Sequence, residues 1–124
     1  MKIIETDNAP KAIGTYSQAI KVNGFLFISG QIPLDPLTME LVEGIENQIN
    51  QVFENINQIL KADGMDFSNV VKLSVLLDDL NHFEKVNKIM DTIFSKPYPA
   101  RAAYEVSKLP KGSLVEIETI AFKE

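Results

Sequence analysis

The spacing of hydrophobic and polar positions changes several times along the chain, and each change marks an element. From Ile45 to Ala62 the apolar residues Ile45, Ile49, Val52, Phe53, Ile56, Ile59 and Leu60 recur at helical spacing and form one face of an α-helix. Asp63-Gly64 supplies its stop. A second stripe comprises Phe83, Val86, Met90, Ile93 and Phe94, and Pro97 and Pro99 end it. Asn81, with Glu84 three residues later, resembles a capping box at its start. Elsewhere the period is that of strands. Leu114 to Phe122 alternates, with Val115, Ile117, Thr119 and Ala121 on one side and Glu116, Glu118 and Ile120 on the other. Val70 to Leu77 is apolar almost throughout and rich in β-branched residues, which predicts a central strand. Arg101 to Val106 reads as a short strand. Tyr16 to Val22 and Phe25 to Ser29 flank Asn23-Gly24, the pair that a type I′ hairpin turn requires.

The predicted order is β-β-α-β-α-β-β, an α+β domain. Two helices cover only one face of such a sheet. The strands are too apolar for the other face to meet solvent, so the pattern predicts oligomerisation through the sheet.

Composition narrows the function classes. A chain of 124 residues suits a single domain, residues 1–124. Hydrophobic residues are 45% and charged residues 23%, a balance that argues against disorder. Twelve basic against 17 acidic residues give a net charge of -5, which provides no general footprint for a phosphate backbone and argues against nucleic acid as partner. The absence of cysteine removes disulfides, thiolate metal sites and a cysteine nucleophile together. No secretory leader is visible in the first residues, and no apolar run is long enough to cross a membrane. The expected setting is cytoplasmic.

Few residues announce chemistry by themselves. Arg101 stands between a proline-rich loop and a strand, where a guanidinium suits bidentate carboxylate binding, although an arginine is more commonly a surface charge or half of a structural ion pair. Glu116 and Glu118 share one face of a strand and could divide acid and base roles, or simply face solvent. Asn87 on an otherwise apolar helix face is either a structural hydrogen-bond hub or a pocket residue. Tyr16 follows Gly14 at the mouth of the hairpin and could orient a ligand. His82, the single histidine, has no second histidine or cysteine with which to hold a metal. No phosphate-loop, dinucleotide or nucleophile-elbow motif is present. From the residues alone, the reading stops at an oligomeric α+β domain.

Three blocks carry a resemblance further. They are Asn8-Ala-Pro-Lys-Ala-Ile-Gly14 with Tyr16-Ser-Gln-Ala19, then Ile28-Ser-Gly-Gln-Ile-Pro33, then Pro99-Ala-Arg-Ala-Ala-Tyr-Glu-Val106 continuing through Leu109-Pro-Lys-Gly and Val115-Glu-Ile-Glu-Thr-Ile-Ala121. Together with a weaker match through Asp66 to Lys72 and Asp79 to Asn87, they resemble the RidA (YjgF-type, L-PSP) family of reactive-intermediate deaminases over essentially the whole chain.

The resemblance implies a chorismate-mutase-like fold, with two helices on one face of a sheet and three subunits packing their sheets into a central barrel, a homotrimer with ligand clefts between subunits. It implies hydrolysis of 2-iminobutanoate and 2-iminopropanoate, which pyridoxal-phosphate enzymes such as threonine dehydratase release, to 2-keto acids and ammonia, without a cofactor or metal. Arg101 then matches the substrate-carboxylate clamp and Glu116 the residue that positions the attacking water. Tyr16 matches a tyrosine lining the cleft, Ser29 and Gly30 a strand end whose backbone meets ligand, and Asn87 an asparagine near the cleft. Ala103 stands where many members have cysteine, at a position whose backbone carbonyl is implicated in holding water. Thr15 replaces a common proline before the tyrosine, and Ala102 a frequent serine or threonine after the arginine. Two alternatives are a regulatory trimer that binds 2-keto acids without significant turnover and, ranked lower, an endoribonuclease or translation inhibitor. A holdase is neither supported nor excluded.

Overall fold

A computed structural model describes all residues, Met1–Glu124. Six strands form one mixed sheet: β1 (Lys2–Ile4), β2 (Ala19–Val22), β3 (Phe25–Gln31), β4 (Val70–Leu77), β5 (Ala100–Glu105) and β6 (Val115–Phe122). Their spatial order is β1-β2-β3-β6-β4-β5, and only β4 and β5 run parallel. Helices α1 (Ile45–Ala62) and α2 (Phe83–Ile93) complete the α+β architecture.

Both helices form where their apolar stripes repeat. The stripe of α1 buries Ile49, Val52, Phe53, Ile56, Ile59 and Leu60 against the sheet residues Leu26, Leu73, Val75, Leu77, Val115 and Ile117. Full burial of one such side chain contributes about 1.5–3 kcal/mol. Phe53, Phe67 and Phe94 meet edge to face, with ring centroids 5.4–6.3 Å apart, and join α2 to this core. β6 lies between β3 and β4, and its alternation runs as its sequence predicts: Val115, Ile117, Thr119 and Ala121 are buried under α1.

The opposite face of the sheet is uncovered. Phe25 and Phe27 are 41% and 45% exposed there, and Tyr104 is 58% exposed. Phe25 packs against its cross-strand partner Phe122, with ring centroids 4.8 Å apart and the rings tilted by 50°.

The structure corrects three local expectations. β1 was not predicted, since three residues show no period; it pairs antiparallel with β2, Ile4 opposite Ala19. β2 begins at Ala19 rather than Tyr16, so Tyr16 lies in the preceding loop. The reason is Gln18, whose buried amide accepts from the Thr6 backbone N–H (2.8 Å) and donates to the carbonyls of Thr6 (3.0 Å) and Pro10 (2.8 Å). That clamp ties residues 6–10 to the entry of β2. Finally, Asn81 and Glu84 form no capping box. Asp79 accepts from the Asn81 N–H at 2.9 Å and caps a 3-10 turn, which runs directly into α2. A reciprocal box forms instead at Asp66 and Asn69, before β4.

Buried amides on α1 fix the loops beside the sheet. Asn55 donates to the Leu34 carbonyl at 3.0 Å. Gln48 donates to the Val42 carbonyl at 3.0 Å and accepts from the Leu114 N–H at 2.8 Å. These bonds hold the segment after β3 and the start of β6 in place, and both border the cleft described next.

Candidate active site

The residues singled out in the sequence gather in two places. Tyr16, Ser29, Gly30 and Glu116 line one cleft of about 680 Å³. Its walls also include Lys11, Ile13, Gln18, Gln31, Ile32, Leu34, Met39, Lys111 and Glu118. Asn87 and Arg101 line a second cleft of about 540 Å³ with Lys88, Met90, Asp91, Tyr98 and Pro99.

In the first cleft, pairing between β3 and β6 shifts register between Ile28 and Gln31, and the irregularity leaves Gly30 against the Glu116 side chain. A Cβ on Gly30 would lie 2.9 Å from Glu116 Cδ, closer than real contacts allow, and 3.0 Å from Oε2, so the carboxyl would have to shift. Glycine is therefore required for the carboxylate to lie across the strand. Burial pushes the Glu116 carboxyl above its ordinary value of 4.5, and the negative charge of Glu118 on the same face adds to the shift. A carboxylate raised in this way is a better proton acceptor than a solvated one.

Tyr16 stands at the mouth of this cleft, where its phenolic oxygen accepts from the Ile13 N–H at 3.3 Å. Ser29 is already engaged. Its hydroxyl donates to the Ser17 carbonyl (2.6 Å) and its N–H to the Gln18 carbonyl (2.9 Å). Its role here is to hold the Tyr16 loop against β3.

In the second cleft, Arg101 projects from the edge strand β5. Its Nη1 donates to Asn87 Oδ1 at 2.5 Å and to Met90 Sδ at 3.5 Å, and its Cζ lies 4.7 Å from the Phe83 ring centroid. Asn87 and the ring orient the guanidinium without neutralising it. No carboxylate of the chain forms an ion pair with Arg101, which leaves its remaining donors for a carboxylate from outside. Ala103 lies on the same strand opposite Val75, with its methyl against the core rather than in either cleft.

The two halves occupy opposite faces of the sheet. Arg101 pairs with Leu73, whose side chain is buried under the helices. Glu116 pairs with Leu76, which points to the uncovered face. β4 stands between their strands, so one protomer does not bring the guanidinium and the carboxylate together. No group of three His, Cys, Asp or Glu side chains is arranged to hold a metal.

Gln18, Lys11, Met39 and Lys111 were not singled out from sequence as site residues. Gln18 lay within a matching block, but its clamp is a tertiary contact. Lys11 and Lys111 also lay within matching blocks, whereas Met39 carries no local signal.

Comparison with known proteins is consistent across sequence and fold. The family model described as Endoribonuclease L-PSP matches residues 6–123. The 2-iminobutanoate/2-iminopropanoate deaminase of Mus musculus is 53% identical over 97% of this chain and 90% of its own length. The crystal structure of RidA from the Antarctic bacterium Psychrobacter sp. superposes with a TM-score of 0.96 at 51% identity, covering 99% of this chain and 100% of that one. E. coli TdcF with bound serine superposes with a TM-score of 0.94 at 37% identity over the full length of both chains. With its six-stranded mixed sheet, its two covering helices and these matches along its whole length, the chain belongs to the RidA (YjgF-type, L-PSP) family.

Proposed function

We propose that this protein is a deaminase that hydrolyses 2-imino acids, 2-iminobutanoate and 2-iminopropanoate among them, to 2-keto acids and ammonia. The observation that carries this is the division of the site. An oriented, uncompensated Arg101 lies on one face of the sheet, and a proton-accepting Glu116 lies in a cleft on the other. A second copy of the chain would bring the Arg101 half of one protomer to the Glu116 half of its neighbour. The uncovered apolar face supplies the driving force for that assembly, and three copies with their sheets around a central barrel would repeat the composite site three times. The name of the mouse relative and the amino acid bound to TdcF support a small substrate bearing a carboxylate.

In this mechanism the Arg101 fork holds the substrate carboxylate in two parallel hydrogen bonds, with Asn87 fixing the fork. Water attack on the C2 imine becomes effectively intramolecular. Glu116 accepts a proton from that water as the C–O bond forms, giving a carbinolamine. The imine reacts as its iminium, so this carbinolamine is neutral. The proton held by Glu116 then passes to nitrogen. As the C–N bond breaks and ammonia leaves, the ionised Glu116 takes the carbinol hydroxyl proton, the carbonyl of the 2-keto acid forms, and that last proton is released to ammonia or solvent. Imines already hydrolyse in water, so the protein need supply only a few factors of ten, each worth about 1.4 kcal/mol. None of these steps calls for a metal or cofactor. Pyridoxal-phosphate enzymes such as threonine dehydratase release substrates of this kind and are the functional partners we infer. No helix is long and apolar enough to cross a membrane, and a chain without cysteine suits the reducing cytoplasm.

The test generates the imine in situ with a dehydratase and follows keto-acid release. Acceleration by the wild-type protein, abolished in Arg101→Ala, is expected. If correctly assembled wild-type protein gives no acceleration, the site is a 2-keto-acid-binding one and the deaminase reading fails.

A further inference from the structure

The uncharged polar side chains that line the Glu116 cleft are mostly engaged with the fold. The Gln18 amide is fully bonded: its oxygen accepts from the Thr6 N–H, and its nitrogen donates to the carbonyls of Thr6 and Pro10. Gln31 Nε2 donates to the Ser29 carbonyl at 3.1 Å, and the Ser29 hydroxyl donates to the Ser17 carbonyl at 2.6 Å. The Tyr16 hydroxyl is the exception, since it accepts from the Ile13 N–H while its own proton has no acceptor in the chain. In the other half of the site, Asn87 Oδ1 accepts from Arg101, and the Asp91 carboxylate accepts from Tyr98 Oη at 3.3 Å.

This bears on what the site demands at C2 of its ligand. Strong rejection of one analogue in favour of another needs groups dedicated to hydrogen-bonding the atom that differs, which stay unpaired when the wrong analogue binds. Here the amides and the serine that could act so are bonded to backbone. The free phenolic proton of Tyr16 suits an oxygen as well as a nitrogen. Arg101 addresses the carboxylate, which an imino acid and its keto acid share. Glu116 addresses the attacking water. The negative charges of Glu116 and Glu118 favour a cationic iminium, which sets relative rates and leaves the reaction type open to a carbonyl.

We propose that the same site adds water to the C2 carbonyl of 2-keto acids, so that the protein catalyses exchange of the keto oxygen with water. This rests on the deaminase reading and adds to it a second activity, on the product class. Arg101 holds the carboxylate. Water attacks C2, Glu116 accepts one proton from it as the C–O bond forms, and the electron pair of the C=O π bond moves to the carbonyl oxygen. That oxygen takes the proton from Glu116, giving a gem-diol. Rotation about the C1–C2 bond exchanges the two hydroxyls, and the reverse steps expel either oxygen as water. Water is the sole co-reactant, and nothing is oxidised or reduced.

The experiment dissolves 2-ketobutanoate in water labelled with heavy oxygen, with increasing amounts of protein. Borohydride stops each sample by reducing the ketone to an alcohol, whose oxygen no longer exchanges, and mass spectrometry reads the label. The exchange rate is expected to rise above the uncatalysed rate in proportion to protein. In Glu116→Gln the increment should fall about a hundred-fold or more, the usual worth of general acid–base catalysis. In Arg101→Ala it should vanish. The same preparations are assayed for imine hydrolysis. Imine hydrolysis without any increment in oxygen exchange overturns this proposal alone. An increment that persists in Arg101→Ala also overturns it, because exchange would then be general catalysis by the protein surface. Attachment of the four-carbon acid to the protein by borohydride overturns it too, by showing a Schiff base on Lys11 or Lys111, the lysines of the cleft, as the route. Acceleration of neither reaction overturns the deaminase reading, and the hydration with it.

Discussion

Gly30 and Glu116 are complementary in shape: the space a Cβ on Gly30 would fill is occupied by the Glu116 carboxyl, with Cδ 2.9 Å from that point. The close approach follows from the register shift between β3 and β6, and it places the carboxylate in the cleft beneath Tyr16. Gly30→Ala should therefore displace Glu116 rather than unfold the sheet. The expected loss is ten-fold or more in kcat with little loss of stability, because the atoms that must give way belong to the flexible Glu116 side chain and not to backbone. Steady-state kinetics beside a thermal melt checks this, and kcat close to wild type would show that the position of Glu116 does not matter to turnover.

The pH dependence follows from the same carboxyl. Glu116 is raised above 4.5 first by burial and then by Glu118. As a base it works only when ionised, so the acid limb of the kcat profile should lie above the usual carboxylate range, with activity falling as pH drops through it. Removing the neighbouring charge in Glu118→Gln should move that limb to lower pH. The stability effect has the opposite sense. A raised carboxyl binds its proton more tightly folded than unfolded, so its contribution to stability is present below 4.5 and is lost as pH rises through the raised value. Glu116→Gln should thus be slower yet no less stable at neutral pH, and an acid limb that persists unchanged in Glu116→Gln would remove Glu116 as its origin.

Arg101 is held by Asn87 at 2.5 Å and by the Phe83 ring, without a carboxylate partner. Arg101→Ala should lose nearly all deaminase activity while its assembly, measured by light scattering, stays as in wild type. Arg101→Lys should also be poor, because an ammonium does not reproduce the planar fork. Asn87→Ala leaves the charge but frees its orientation, so KM is expected to rise several-fold. Full activity in Arg101→Ala would refute the clamp.

Thr119 lies buried under α1 with its hydroxyl unpaired. A buried hydroxyl without a partner is unfavourable by about 1–3 kcal/mol relative to an apolar group of the same shape. Thr119→Val is expected to hold or raise the urea midpoint, with turnover unchanged. A clear drop in the midpoint would mean that the hydroxyl has a partner.

The sequence by itself determined both helices, the alternation of β6, the central character of β4 and the presence of a sheet face that the helices leave open. All of these rest on periods written locally, in which each apolar residue repeats the instruction of its neighbours. The resemblance of its motif blocks also singled out Arg101 and Glu116. Other features were decided only by tertiary structure. β1 exists because Ile4 finds Ala19 across the sheet, and three residues carry no period of their own. Asp79 caps a 3-10 turn that leads into α2, and α2 itself has no side-chain cap at Asn81 or elsewhere. The strand Ala-Arg-Ala-Ala-Tyr-Glu has no alternation that reveals its faces, so only its pairing with β4 assigns Arg101 to the helix side, opposite Glu116. Met39 and Lys111 adopt left-handed backbone against their own preference, held by loop hydrogen bonds that no local pattern encodes. Periodic burial is legible because it is repeated and local, whereas strand register, face and strained loops depend on single contacts between residues far apart in the chain.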